Sequence, residues 1–385
     1  MTTGTETRTE ALRGLFAAPG PFLSVYFDLE ARPELGLDTE ERWQARLREL
    51  AAQGAEVDDL DALTRVFLSA RPGSGVLAAF AAGGEVLHSA VLPGCEQADL
   101  ALHGPLPHLL PLLAWRQDHP AHVVAVVDRT GADLQLYPTG ATEATCRTVT
   151  GPDDEIERNQ PGGMSQMRYQ RRAEDSWEHN AVKVAQALGT ALAEVDAHVL
   201  MLAGDVRARQ YLAKHLPTRI QQEVSIHPVS GSRSPDGAAP ERMAQVDAET
   251  HRAGHDQTTA LVSRYAEELS PRGHAVEGIY ATVRALADGQ LRTLLITDDP
   301  AARRTAWFGP GPTDIAELST AFAPETGPLV EASLADVAIR TALLTGAGVR
   351  VLEPGIPGTP AQGIGGLTRY TGRPATVPSI GEEPW

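Results

Sequence analysis

Apolar and polar residues follow one another in changing rhythms along this chain, and the rhythm divides it into three blocks. The first opens with helical spacing from Thr7 to Phe16 and the turn Pro19-Gly20-Pro21, after which Phe22-Leu23-Ser24-Val25-Tyr26-Phe27 is an apolar run of strand length. Glu40 to Ala52 and Asp58 to Ala70 carry apolar residues three and four apart, which predicts two amphipathic helices. Val76 to Ala81 and Val86 to Leu92, joined through Gly83-Gly84, predict a strand pair. Leu106 to Trp115 is apolar but holds Pro107 and Pro111, and reads as a connection packed between strands.

The second block begins at His122. Val123 to Val127 is a strand, Asp128-Arg129-Thr130-Gly131 a turn, and Asp133 to Tyr137 the returning strand. A polar loop is expected from Gly151 to Gly163. Ala173, Trp177, Ala181, Val184, Leu188, Ala191 and Val195 then form a single stripe at helical spacing, the core-facing side of a long helix. Val199 to Ala203 is a central strand, Glu223 to Val229 another, and the Ser-, Pro- and Gly-rich stretch from Ser230 to Pro240 a loop.

A helix from Pro240 to about Glu268 leads into the third block and stops at Ser270-Pro271-Arg272-Gly273. A helix from Val276 to Ala287, a turn at Asp288-Gly289 and a strand from Leu291 to Thr297 make an αβ unit. Leu334 to Leu344 predicts a helix, Val349 to Leu352 a strand, and Leu367 to Tyr370 a last short strand. Gly363-Ile364-Gly365-Gly366 reads as a bend before it. The alternation predicts an α/β layered architecture. The expected division is 1–120, 121–257, 258–370 and a mobile tail over 371–385.

Composition narrows the function classes. With 42% hydrophobic residues in 385, the chain can build real cores. No apolar run approaches the roughly 20 residues that span a bilayer, and the polar N-terminus has no secretory pattern, so a cytoplasmic protein without membrane partners is expected. Cys95 and Cys146 are the only cysteines and supply neither a disulfide framework nor a zinc site. A net charge of −17 argues against a general nucleic-acid coat, since phosphate contact needs cations. Interest therefore falls on any place where arginines gather.

One run does this. Arg158-Asn159-Gln160-Pro161-Gly162-Gly163-Met164-Ser165-Gln166-Met167-Arg168-Tyr169-Gln170-Arg171-Arg172 has no acidic residue from Gln160 to Arg172. Two glycines precede a helix start, and Arg168, Arg171 and Arg172 follow at spacings that share a face. Cations at a helix N-terminus oppose its macrodipole, so the cluster is unfavourable until a polyanion arrives. The bland alternative is a Gly turn before a solvated basic face. The glycine spacing fits neither a dinucleotide fingerprint nor a Walker loop. His251 and His255 could face one metal, but no third ligand is evident and no Glu follows His251, so no metal and no cofactor are expected. Ser165 has no His or Asp tied to it by sequence, and no serine-hydrolase elbow is present. Arg303-Arg304 reads as a solvated pair and Trp177 as core.

The run Val123 to Val184 resembles the middle domain of the archaeo-eukaryotic class-one release factors and of Pelota. The resemblance rests on Val124-Ala125-Val126-Val127-Asp128-Arg129-Thr130-Gly131-Ala132, the Gly-Gly run, the Arg-rich helix start and His179-Asn180-Ala181-Val182-Lys183-Val184-Ala185, in that order. Leu261 to Tyr265, Gly278, Ala285 to Gly289 and Thr293 to Thr297 resemble the C-terminal domain, whose fold is shared with kink-turn RNA-binding proteins. The likeness spans roughly 120 to 370 and implies a three-domain release-factor/Pelota-like α/β architecture with mixed sheets. It looks closest to a bacterial branch grouped with the Vms/Ankzf-type peptidyl-tRNA hydrolases, with the hibernation factor Balon in the same wider group.

The resemblance implies a ribosome-associated factor that meets rRNA and the peptidyl-tRNA end, with an elongation-factor GTPase as a delivery partner. Gln166, Gly162 and Gly163 would be its catalytic residues, and Met164, Ser165, Arg168, Arg171 and Arg172 its RNA contacts. Met164 stands where release factors place the glutamine of Gly-Gly-Gln, while Gln166 lies three residues after Gly163, the spacing of the Vms/Ankzf-type loop. Nothing in the first block matches a stop-codon-reading element. The implied function is codon-independent hydrolysis of peptidyl-tRNA on stalled ribosomes, or, if catalysis is lost, occupation of the A site as a hibernation factor.

Overall fold

The computed structural model describes residues 12–31, 38–70, 73, 75–150, 163–234, 239–270, 272–299 and 304–370, and of residues 163–177 the backbone alone. The expected loop through Gly162, the tail over 371–385, Pro271, Arg303 and the side chains of Ala173 and Trp177 lie outside the described residues. The chain divides into two units: residues 23–102 and 111–257 fall in one, residues 103–110 and 258 onward in the other.

The first unit holds two sheets. In the first, the fully buried strand β1 (Phe22–Asp28) is followed by helices α1 (Thr39–Ala52) and α2 (Val57–Ser69), the hairpin β2 (Val76–Ala82) and β3 (Glu85–Leu92), and strand β4 (Leu100–Gly104), in the order β3-β2-β1-β4. Asp38 caps α1 by accepting from the Glu41 N–H while Glu41 accepts from the Asp38 N–H, a capping box that fixes where the helix starts. Phe27, Trp43 and Phe67 pack against one another beneath the two helices. Leu106 to Trp115, read as a connection, is in part helix α3 (Leu110–Gln117). Pro111 sits in its first turn, where no backbone hydrogen bond is lost.

The second sheet carries the expected hairpin, β5 (His122–Val127) and β6 (Gly131–Tyr137), extended by β7 (Thr145–Thr150). Helix α4 (Gly163–Val195) leads to β8 (Val199–Gly204), which lies parallel beside β5. Two short helices, α5 (Val206–His215) and α6 (Thr218–Glu223), precede β9 (Ser225–Pro228), parallel to β8. The order is β7-β6-β5-β8-β9. Because β5 and β8 alternate apolar residues to both faces, the sheet is covered twice. Val184, Leu188, Ala191 and Val195 of α4, with Leu212 and Ile220, close one face. Val246, from helix α7 (Ala239–Glu268), closes the other over Val124, Val126, Val199 and Met201.

In the second unit, β10 (Ala275–Glu277), α8 (Ile279–Ala287), β11 (Leu291–Thr297), α9 (Leu334–Leu344), β15 (Gly348–Leu352) and β16 (Ile364–Thr368) build a sheet of order β10-β16-β11-β15. Between β11 and α9 lies a small three-stranded sheet of β12 (Thr305–Phe308), β13 (Ile315–Ala316) and β14 (Val330–Ser333). Two expectations are corrected. The helix predicted from Val276 starts at Ile279, because Gly278 adopts φ 78° and leaves Ala275–Glu277 as a strand. The glycines read as a bend lie inside β16: a Cβ at Gly365 would stand 2.7 Å from the Tyr265 hydroxyl oxygen, and one at Gly366 2.6 Å from the Thr293 carbonyl oxygen. Glycine is there because backbones and rings approach too closely for anything larger.

Helix α7 shows the same constraint. A Cβ at Gly254 would lie 2.7 Å from the Gln117 carbonyl oxygen and 3.0 Å from the Asp118 Cα. That contact seats α7 on the end of α3. Near it, His119 stacks on Trp115 with ring centroids 4.1 Å apart and meets His251 edge-on at 4.8 Å, while His122 stacks on Tyr137 at 4.6 Å. Burial holds the imidazoles of His119 and His122 below the ordinary histidine range, against the hydrogen bonds that their Nδ1 atoms make to the carbonyls of Trp115 and Pro120.

Two predictions follow from this packing. Gly254→Ala, which in an isolated helix gains about 1 kcal/mol, instead lowers stability by about 1–3 kcal/mol through the clash, measured by urea unfolding. The folded chain holds fewer protons on His119 and His122 than the unfolded chain does, so their contribution is complete above the unperturbed pKa of about 6.5 and is lost as the pH falls. The midpoint of thermal unfolding therefore drops between pH 7.5 and 5, and His119→Gln/His122→Asn flattens that drop. An unchanged slope in the double variant removes these histidines from the account.

Candidate functional site

Helix α4 is 33 residues long, while the strands beneath it have six or seven. At 1.5 Å per residue the helix extends for about 50 Å, against about 20 Å for a strand. Its buried stripe, Ala181, Val184, Leu188, Ala191 and Val195, is matched to the sheet. At the edge of that stripe sits Asn180, a polar residue only 4% exposed. Its Nδ2 donates to the Arg129 carbonyl in the β5–β6 turn at 2.9 Å. One turn further on, Lys183 Nζ reaches the Thr150 carbonyl at the end of β7, at 3.4 Å. Upstream of Asn180, residues 163–179 continue for about 25 Å. Glu178 still meets His215 of α5, at 3.3 Å.

The turn that receives Asn180 is itself braced. The Asp128 Oδ1 accepts from the Thr130 N–H at 2.8 Å, the Thr130 hydroxyl at 2.8 Å and the Gly131 N–H at 3.0 Å. Arg233 donates to Asp128 at 2.9 Å and to Asp133 at 3.1 Å, tying the loop after β9 to both ends of the turn. Burial opposes the charge on Asp128, but the Thr130 hydrogen bonds and Arg233 outweigh it and hold the carboxyl below its ordinary range. Arg129 faces Asp205 at 3.8 Å, an exposed pair that adds little.

The sequence-predicted residues fall as follows. Gly162 lies outside the described residues. Gly163, Met164, Ser165 and Gln166, expected in a loop, form the first turn of α4, and Arg168, Arg171 and Arg172 lie in the turns after it. A helical backbone over 168–172 places those three positions on one face. In any α-helix the first four N–H groups lack an intrahelical acceptor; here they belong to Gly163, Met164, Ser165 and Gln166. One helix end therefore gathers N–H donors, the positive end of a macrodipole and three arginine positions, an arrangement suited to an anion.

Sequence reasoning did not single out Asn180, Asp128 or Arg233 as positioning groups. The Asp-x-Thr-Gly pattern was a usable signal for the turn's internal bonds. Nothing local signals Arg233, which meets Asp128 across 105 positions. Among the described residues, no cluster of three or more His, Cys, Asp or Glu side chains is placed to hold a metal, and no helix is long and apolar enough to cross a membrane.

Residues 121–271 match the family described as bacterial archaeo-eukaryotic release factor family 2. Over 372 residues, covering 94% of this chain and 97% of the relative, the chain is 29% identical to the uncharacterized protein Rv2629 of Mycobacterium tuberculosis, and equally to MT2704 of another strain of that organism. Among solved structures it is similar to the archaeal translation termination factor aRF1, with 14% identity over 95% of this chain and 98% of that one and a TM-score of 0.25. It is also similar to Saccharomyces cerevisiae Dom34, with 11% identity, 75% and 74% coverage and a TM-score of 0.39. A ribosome-bound archaeal Pelota with ABCE1 gives 13% identity, 97% and 96% coverage and a TM-score of 0.40. Scores this low carry no argument. What the comparisons show is that residues 121–271, the segment with the long helix α4 between β7 and β8, are similar to bacterial archaeo-eukaryotic release factor family 2.

Proposed function

We propose that this chain is a ribosome-associated translation factor that enters the A site without reading a codon, leading with the start of α4. The observation that carries the reading is the overhang: a helix anchored at Asn180 runs about 25 Å upstream to an acid-free, arginine-bearing end, in a chain of net charge −17. Such an end suits an RNA-lined pocket, where backbone N–H groups and guanidinium groups meet phosphates. Gly162 and Gly163 give the tip the smallest cross-section the chain allows. The partners in this reading are rRNA, the peptidyl-tRNA end and an elongation-factor GTPase that delivers the protein, in the cytoplasm.

In the catalytic form of this reading, water attacks the ester carbonyl that joins peptide to tRNA. The carbonyl oxygen takes up negative charge, the ester C–O bond breaks, and the freed tRNA 3′ oxygen takes a proton. A glutamine has no pKa near neutrality and is no general base. Gln166 would orient the water through its amide, and the N–H groups of the first turn would stabilise the developing oxyanion, with ribosomal RNA completing the site. A second, non-catalytic reading is favoured by Met164 at the position of the release-factor glutamine and by the helical backbone of Gly163–Gln166. In that form the protein occupies the A site and shields the peptidyl-transferase centre as a hibernation factor.

Sedimentation of lysates from growing and starved cells is expected to carry the protein with 50S or 70S particles; a protein found only at the top of the gradient ends both readings. Arg168→Ala/Arg171→Ala/Arg172→Ala weakens that association and flattens its dependence on salt, by about two units in the slope of log K against log salt for three lost phosphate contacts. Purified ribosomes bearing peptidyl-tRNA separate the two forms. Release that Gln166→Ala slows at least about 100-fold supports hydrolysis, since losing one oxyanion or positioning donor costs about 10²–10³ in rate. Ribosome binding without release by the wild type supports the occupant.

A further inference from the structure

Within the second unit, helix α8 and the small sheet of β12 and β13 border a groove of about 820 Å³. Val283 and Ile315, both buried, form part of its floor. Tyr280 and Leu318 also line it and are 65% and 67% exposed. A single exposed Leu or Tyr needs no explanation, but two that converge on one concave apolar surface mark a docking site. Two cations share the walls: Arg284 in the last turn of α8, and Arg304 just ahead of β12. Both are exposed, and among the described residues neither side chain has a hydrogen bond or ion pair. Glu317 is the one acid among the lining residues, so guanidinium groups outnumber carboxylates there in a chain of net charge −17.

Such a surface fits a segment that sets carboxylates beside bulky apolar side chains. The chain carries one. Fifteen residues follow Tyr370 in the sequence, and among them is Ile380-Gly381-Glu382-Glu383-Pro384-Trp385, two adjacent carboxylates between two large apolar residues. The segment also departs from the right place. The Arg369 N–H donates to the Gln290 carbonyl at 2.9 Å, and the Arg369 guanidinium reaches the Gly289 carbonyl at 3.4 Å. The chain therefore leaves β16 beside the carboxyl end of α8, whose Ala287 lines the groove. Helix α8 has nine residues and is about 13 Å long. The ten residues from Thr371 to Ile380 span up to about 33 Å, enough to reach any part of it.

We propose that residues 380–385 of this chain dock in the groove, with Ile380 and Trp385 against Tyr280 and Leu318, and Glu382 and Glu383 facing Arg284 and Arg304. A tether of this length gives an effective concentration on the order of mM, so modest contacts are enough to hold the segment. Exposed ion pairs add little affinity; the apolar contacts supply it, and the charges select the direction in which the segment lies. The proposal makes no use of the role given to the α4 tip.

A fluorescein-labelled peptide of residues 371–385 is titrated by anisotropy into two full-length chains, the wild type and Ile380→Asp/Trp385→Asp, whose own segment cannot dock. The peptide is expected to bind the variant at least about ten-fold more tightly than the wild type, where the tethered copy competes. Adding Arg284→Glu/Arg304→Glu to that variant lowers affinity at least about ten-fold, and a peptide carrying Glu382→Lys/Glu383→Lys restores it, a rescue that a misfolded chain cannot give. Equal binding to the wild type and to Ile380→Asp/Trp385→Asp overturns the proposal, as does binding that ignores the arginine reversal. A variant that binds no peptide but dimerises in sedimentation equilibrium assigns the groove to a second copy, and one that does neither assigns it to another protein; both overturn the proposal. None of these outcomes bears on co-sedimentation with ribosomal particles.

Discussion

Burial of one face of α4 against the middle sheet decides where that helix can begin. Val184, Leu188 and Val195 are each at most 4% exposed, and burying such side chains is worth about 1.5–3 kcal/mol apiece. The register of the helix on the sheet is therefore not negotiable. Asn180 marks the limit of the buried stripe: its Nδ2 donor finds the Arg129 carbonyl only if the helix lies where it does, while its Oδ1 has no hydrogen-bond partner among the described residues. Everything upstream inherits its position from that contact. The arginine positions lie on helical backbone continuous with that anchored stretch, and Arg233 ties Asp128 to Asp133 across the receiving turn.

How much of this could be read beforehand depended on whether the signal was local. The stripe of α4, the strands β1, β5 and β8, and the hairpins around Gly83-Gly84 and Asp128–Gly131 were legible, because period and turn chemistry are properties of neighbouring residues. Strands β4 and β7 were not. The first has five residues and the second, Thr145–Thr150, is exposed at nearly every position, so neither presents an apolar face to recognise. Helix α5 buries Leu212 alone and reads as polar sequence. The small sheet of β12, β13 and β14 is built from strands of two to four residues, below the length at which alternation can be seen. At the α4 start, the acid-free arginine run was visible in the sequence, whereas the helical state of Gly163–Gln166 was not, since a Gly-Gly pair argues against helix.

The acidity of the chain then takes on a mechanical meaning. A uniformly mixed surface would let many faces of the protein settle on RNA, with affinity spread over wrong orientations. A net charge of −17 repels the phosphate backbone over most of the surface, and that repulsion reaches about one Debye length, roughly 8 Å at physiological salt. In the proposed reading, the acid-free run that bears Arg168, Arg171 and Arg172 is the part of an acidic chain that phosphates approach, although Glu174 and Asp175 follow it closely on the same helix. Orientation is thereby selected by exclusion as much as by attraction. A body recharged to neutrality by Asp/Glu→Asn/Gln changes on surfaces remote from α4 would gain total RNA affinity and lose its preference for entering tip-first.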